Sequence, residues 1–147
     1  MRRLFTAAAC LLVCTGTASA EMVRMESPHT VAATMDRLAT AVEGAGAKVF
    51  VRIDHQAGAK SVGVDLPAST LMLFGSPKIG AGIMQDSITI GLDLPLRALA
   101  YEENGKVWLA YPDPVEMAAR HGVAADHPVL QKIEGALAKL SGKAVSP

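Results

Sequence analysis

The dipeptide Asn104-Gly105 lies between two alternating segments, Leu96-Arg97-Ala98-Leu99-Ala100-Tyr101-Glu102 and Lys106-Val107-Trp108-Leu109-Ala110-Tyr111, and it restricts the fold more than any other feature. Asn-Gly is the pair that best tolerates the positive φ angles of a two-residue hairpin turn, so the two segments are expected to pair antiparallel. The register follows from the turn. Glu103 faces Lys106, Tyr101 faces Trp108 and Leu99 faces Ala110, which places an opposite-charge pair and an aromatic pair on a single face.

The other segments read around this hairpin. Met22 to Met25 suits an edge strand. Ser27-Pro28 reads as the N-cap and first residue of a helix over residues 28–43, because proline at that position sacrifices no hydrogen bond. Val31, Met35, Leu38 and Val42 lie on one stripe of it, and Gly44 and Gly46 end it. Lys48-Val49-Phe50-Val51-Arg52-Ile53-Asp54 alternates as a half-buried strand does. An Ala- and Gly-rich stretch with a short helical turn follows, then the apolar run Thr70-Leu71-Met72-Leu73-Phe74, read as a central strand covered on both faces. Residues 75–82, with three glycines and a proline, read as a loop, and a short helix is expected to end near Gly91. Asp113-Pro114-Val115-Glu116 carries a helix start, Gly122 closes that helix, and a last one runs over residues 128–140, fraying at Gly142. The predicted class is α+β: one two-layer domain, a mixed and mainly antiparallel sheet with helices 28–43 and 128–140 packed on it.

Residues 1–20, MRRLFTAAACLLVCTGTASA, have the form of a secretory signal peptide: Arg2 and Arg3, a short apolar stretch, then the small residues Ala18-Ser19-Ala20 before Glu21. The stretch is too short for a bilayer core of about 30 Å. Cleavage there predicts a periplasmic or secreted protein. It would remove Cys10 and Cys14, the only cysteines of the chain, leaving no disulfide and no thiolate ligand. Residues 21–147 then form a single domain of 127 residues. Without Arg2 and Arg3 there are twelve basic against fourteen acidic side chains, a formal charge of −2. Such a balance, with no basic run, argues against a nucleic-acid partner.

For chemistry, Asp54-His55 at a strand end could work as an acid–base pair or cap the turn that follows. Residues 75–82 could hold a small anion on backbone N–H groups, with Lys78 as the point charge. If the two strand ends adjoin, Asp54, His55, Gly75, Ser76, Lys78 and Gly80 border one pocket. Asp93 reads as a turn residue or N–H acceptor. His29, His55, His121 and His127 show no paired ligand spacing, so no metal and no cofactor are expected, and no nucleophile with its base can be named.

Four motifs in order, Phe50-Val51-Arg52-Ile53-Asp54-His55-Gln56-Ala57-Gly58-Ala59, Leu73-Phe74-Gly75-Ser76-Pro77-Lys78, Leu92-Asp93-Leu94-Pro95-Leu96 and Lys106-Val107-Trp108-Leu109-Ala110-Tyr111, resemble domain-of-unknown-function family 302. The resemblance implies a small α+β domain, with homodimerisation a plausible further implication, and says little about activity. Three functional expectations follow: an exported non-catalytic module binding a small anionic ligand, an interaction or assembly module acting through a dimer surface, and a hydrolase with unrecognised machinery.

Overall fold

The computed structural model describes residues 22–147; the expected leader and its cleavage point before Glu21 lie outside the described residues. Asn104 and Gly105 have φ angles of 54° and 72°, and the turn joins β4 (Leu96–Glu103) to β5 (Lys106–Pro112). Leu99 faces Ala110, Tyr101 faces Trp108 and Glu103 faces Lys106, as the turn predicts. The two facing charges nevertheless bond elsewhere. Lys106 reaches Glu26 at 2.8 Å and Glu103 bonds Arg24, both on the neighbouring strand β1 (Met22–Ser27). Arg24 also lies 3.8 Å from the Trp108 ring centre, a cation–π contact that stabilises by about 0.5–1 kcal/mol at an exposed site.

The sheet has the order β1-β5-β4-β3-β2, with β2 spanning Lys48–Asp54 and β3 spanning Ser69–Gly75. Every pairing in it is antiparallel, so the expected mixed character is absent among the described residues. The connection from β2 to β3 explains this, since its short helix α2 (His55–Ser61) buries no residue and does not cross over the sheet as a parallel connection would have to.

One face of the sheet carries the core. Met72 and Phe74 of β3, Ala98 and Ala100 of β4, and Leu109 of β5 meet α1 (Val31–Gly44) and α5 (Pro128–Val145). Each large apolar side chain buried here contributes about 1.5–3 kcal/mol. Helix α1 presents Val31, Met35, Leu38 and Val42 to that core, but it starts later than expected. Thr30 is the N-cap, accepting from the Ala33 N–H at 3.2 Å. Ser27 ends β1 and lies 2.7 Å from the Thr34 hydroxyl; Thr34 donates to the Thr30 carbonyl, so Ser27 is the donor of that pair. Helix α5 runs to Val145 rather than ending near 140, and Gly142 does not fray it: Ser141 and Ala144 are buried, and Arg37 on α1 donates to the carbonyls of Ala144, Lys143 and Ser146.

Two further expectations fail for identifiable reasons. The strand β3 is covered on one face only, with Leu71 and Leu73 half-buried on the other. Residues 75–82 do not form a loop: Ser76-Pro77 starts helix α3 (Pro77–Met84), and a Cβ at either of its glycines would make only ordinary contacts. A Cβ on Gly80 would stand 3.8 Å from Leu94, and one on Gly82 would stand 3.7 Å from Val129 of α5. The expected helix ending near Gly91 is a 3-10 turn, Ile88–Leu92. Helix α4 (Pro114–Ala119) starts as predicted, with the Asp113 carboxylate accepting from the N–H groups of Val115 and Glu116.

Candidate functional site

The residues expected to share one pocket divide into two groups. Asp54 pairs with Thr70 at one end of the β2–β3 ladder, whereas Lys48 pairs with Gly75 at the other. Five residue steps along β3 separate the ends by about 17 Å. Antiparallel pairing of β2 and β3 therefore keeps Asp54 and His55 apart from Gly75, Ser76, Lys78 and Gly80. Asp54 has a structural task, accepting from the Ala57 N–H at 2.9 Å as the N-cap of α2, and His55 is the exposed first residue of that helix. The Asp54-His55 acid–base pairing has no counterpart in these bonds. Asp54 also borders an open depression with Gln56, Lys60 and Asp65, whose side chains are exposed.

The second group does form a cavity. Gly75, Ser76 and Gly80 line a space of about 580 Å³ between the end of β3, helix α3, the start of β4 and helix α5. Ile79 and Met84 of α3, Leu94 and Leu96 near β4, and Ile133 of α5 supply the apolar wall. Phe50 of the edge strand, 51% exposed, stands at the rim. Lys78, in the first turn of α3, is exposed and is not part of the lining. Among the described residues, no charged side chain lines this cavity, and Ser76 is the single residue of the lining with a polar side chain. That hydroxyl makes no capping bond to α3. The lining departs from the expected anion cradle: what it offers a ligand is apolar area.

A different cluster, which spacing alone does not disclose, surrounds Asp93. Its carboxylate, 12% exposed, receives His121 Nε2 at 2.8 Å, Arg120 at 3.3 Å and Arg97. The other ring nitrogen, Nδ1 of His121, lies 3.1 Å from the Thr89 hydroxyl, and the Ser87 hydroxyl donates to the His121 carbonyl at 2.9 Å. Burial pushes the Asp93 pKa up, but the hydrogen bonds from His121 and Arg120 and the positive charges of Arg97 and Arg120 outweigh it. The group is held below the usual carboxylate value. The order hydroxyl, imidazole, carboxylate has the outline of a nucleophile–base relay. Two guanidinium groups already compensate the carboxylate, however, so little negative charge is left to stabilise an imidazolium. The cluster instead clamps the 3-10 turn and β4 to the end of α4. Among the described residues, no group of three His, Cys, Asp or Glu side chains is arranged to hold a metal ion, and no helix is long and apolar enough to cross a membrane.

Comparison with known proteins agrees with this architecture. A protein described as an uncharacterised conserved protein DUF302 from Bacillus stearothermophilus has the same fold, with a TM-score of 0.79 at 18% identity, covering 86% of this chain and 99% of that one. Closer in sequence are two proteins named fluoride-specific ion channel FluC 1, from Brucella suis biovar 1 (strain 1330) and Brucella abortus biovar 1 (strain 9-941). Each is 47% identical over 117 residues, which is 78% of this chain but 46% and 43% of those proteins. This chain thus spans less than half the length of the curated relatives it matches. The family model described as domain of unknown function DUF302 matches residues 23–140, and the chain belongs to that family.

Proposed function

We propose that this protein is an exported, non-catalytic module that binds a small ligand in the cavity between α3, β4 and α5. The observation that carries this reading is the cavity itself. Its volume of about 580 Å³ falls in the range of small-molecule sites, which are mostly apolar with few polar groups. The ligand buries an apolar part there, and any anionic part lies outside, toward Ser76 and the exposed Lys78. Channel activity is not carried over from the Brucella relatives, because the matching stretch is under half of each.

Native mass spectrometry of gently purified protein, followed by a thermal-shift screen of metabolites, tests the reading. A bound mass or a stabilising compound is expected, and Gly80→Phe, which fills the cavity from α3, abolishes the effect. A screen without any stabilising compound, or stabilisation that survives both Gly80→Phe and Ala81→Phe, overturns it. Export is tested separately by intact mass: mature protein begins at Glu21, and a species retaining an acylated Cys14 would make it a lipoprotein instead.

Edge strand β2 favours a second reading, assembly with another copy. Phe50, Val51 and Ile53 are all exposed on it, and an exposed apolar edge invites pairing. Light scattering showing a dimer that Val51→Lys dissociates supports this reading; a monomer at every concentration dismisses it.

A further inference from the structure

We infer that the ligand of this cavity is a single-chain amphiphile, and that Met84 and Gly91 set the chain length it accepts. The inference rests on the ligand-site reading above and adds the class of ligand. Three features of the lining lead to it. The wall is made of aliphatic and thioether side chains, with Phe50 as its one aromatic, placed at the rim. Sugars, nucleotides and heteroaromatic rings need directional polar partners, which Ser76 alone does not provide. A hydrocarbon chain needs none, and it follows an irregular apolar wall by rotating about its own bonds.

The second feature is the floor. A Cβ on Gly91 would stand 3.0 Å from Met84 Cε and 3.7 Å from its sulfur, so the thioether end lies directly against bare backbone. Both residues line the cavity. A side chain at position 91 therefore requires the flexible methionine tip to give way, and its own atoms take up room in a lining that the two residues share. Ile133, 2% exposed and part of the core, completes the same lining. The third feature is the scarcity of polar side chains: Ser76, with its hydroxyl free of a capping bond, is the one polar side chain of the lining, enough to pair with a polar head while the rest of the lining covers a tail.

Calorimetric titration with straight-chain carboxylic acids of increasing length, each below its micelle concentration, and with 1-naphthoate as a flat aromatic of the same charge, tests the inference. Affinity rises about fourfold per methylene, the value expected for burial of each CH₂, and levels once the cavity is full. Gly91→Ala moves the levelling point to shorter chains, and Met84→Ala moves it to longer ones; thermal melts of both variants confirm that they fold. Affinity independent of chain length, or an unchanged levelling point in both variants, overturns the inference. If naphthoate binds in that case, the ligand site stands without its chain. If neither acid nor naphthoate binds and the metabolite screen is also empty, the ligand-site reading fails with it.

Discussion

The stretch from Ser87 to Leu96 shows two contrasting regions of the molecule on its two sides. Gly91, Leu94 and Leu96 face a cavity with hardly a polar atom, while Ser87, Thr89 and Asp93 take part in a continuous hydrogen-bonded network with Arg97, Arg120 and His121. In the network each polar group has a partner, and among the described residues no buried side-chain nitrogen or oxygen lacks one. Saturated chemistry of that kind holds elements in place. The cavity is the reverse, apolar area that the chain itself leaves unfilled, and such area is available to a ligand. The contrast favours a structural task for the more conspicuous cluster, an aspartate, a histidine and a threonine in line.

Removing Asp93 gives the largest expected effect. Asp93→Ala strands two guanidinium groups and the His121 ring. Loss of one partner from a fully buried pair costs about 3–5 kcal/mol, but Arg97 and Arg120 are 39% and 48% exposed and water recovers part of it. A loss of about 2 kcal/mol in urea unfolding is expected. A loss near zero would mean that the network carries no stability, and the comparison would break.

A smaller, pH-dependent effect isolates the charge. The Asp93 pKa is lowered in the folded protein, so the unfolded chain takes up the proton first. Its stabilisation is complete above the unfolded value of about 3.9 and declines as pH falls through the lower folded value. Wild type therefore loses stability in acid through this group, and Asp93→Asn does not. Urea midpoints followed from about pH 7 to about pH 3 should show the gap between the two proteins narrowing at the acid end. A gap that stays constant would show that the carboxylate charge is not what the arginines hold.

The outer end of the network should matter little. Thr89 is exposed, and Thr89→Val removes one hydroxyl that water can replace at His121, so a change of about 0.5 kcal/mol or less is expected. A loss of several times that amount would extend the clamp to the protein surface. It would also reopen the question of a task for the hydroxyl.

How much of this was legible in the sequence depends on the range of the cause. The hairpin register could be derived because Asn104-Gly105 and the alternation around it are local, and the α4 start because Asp113 and Pro114 adjoin it. The α1 stripe was equally plain. Its cap was displaced from Ser27 to Thr30 because β5 draws Ser27 into a sheet, a partner 80 residues away at Val107. The site failed in the same manner. Gly75, Ser76 and Gly80 do meet in one cavity, but a site that also holds Asp54 and His55 needs β2 and β3 to run in the same direction, and no local signal states that direction. Asp93 has three side-chain partners, of which only Arg97 is near in sequence, and its position between Leu92 and Leu94 gives no hint of Arg120 and His121.

The smallest predicted effect concerns Lys78, and it separates a site built from apolar area from one built around a charge. Lys78 is exposed on the first turn of α3 and lines no part of the cavity, so Lys78→Ala should change stability by less than about 0.5 kcal/mol. Its ammonium can attract an anionic head only through solvent, where such a pair contributes about 0.2–1 kcal/mol, equivalent to a loss of up to about fivefold in affinity for a carboxylate. Added salt should weaken wild type toward the variant, because an exposed pair is screened within about 10 Å at 0.1 M. The apolar share of the binding should be untouched, so the gain per methylene remains the same in both proteins. Calorimetric titration of one acid against both, at low and high salt, measures all three. If Lys78→Ala abolishes binding while the fold persists, the charge and not the cavity selects the ligand, and the contrast drawn between the two sides of residues 87–96 no longer locates function on the apolar one.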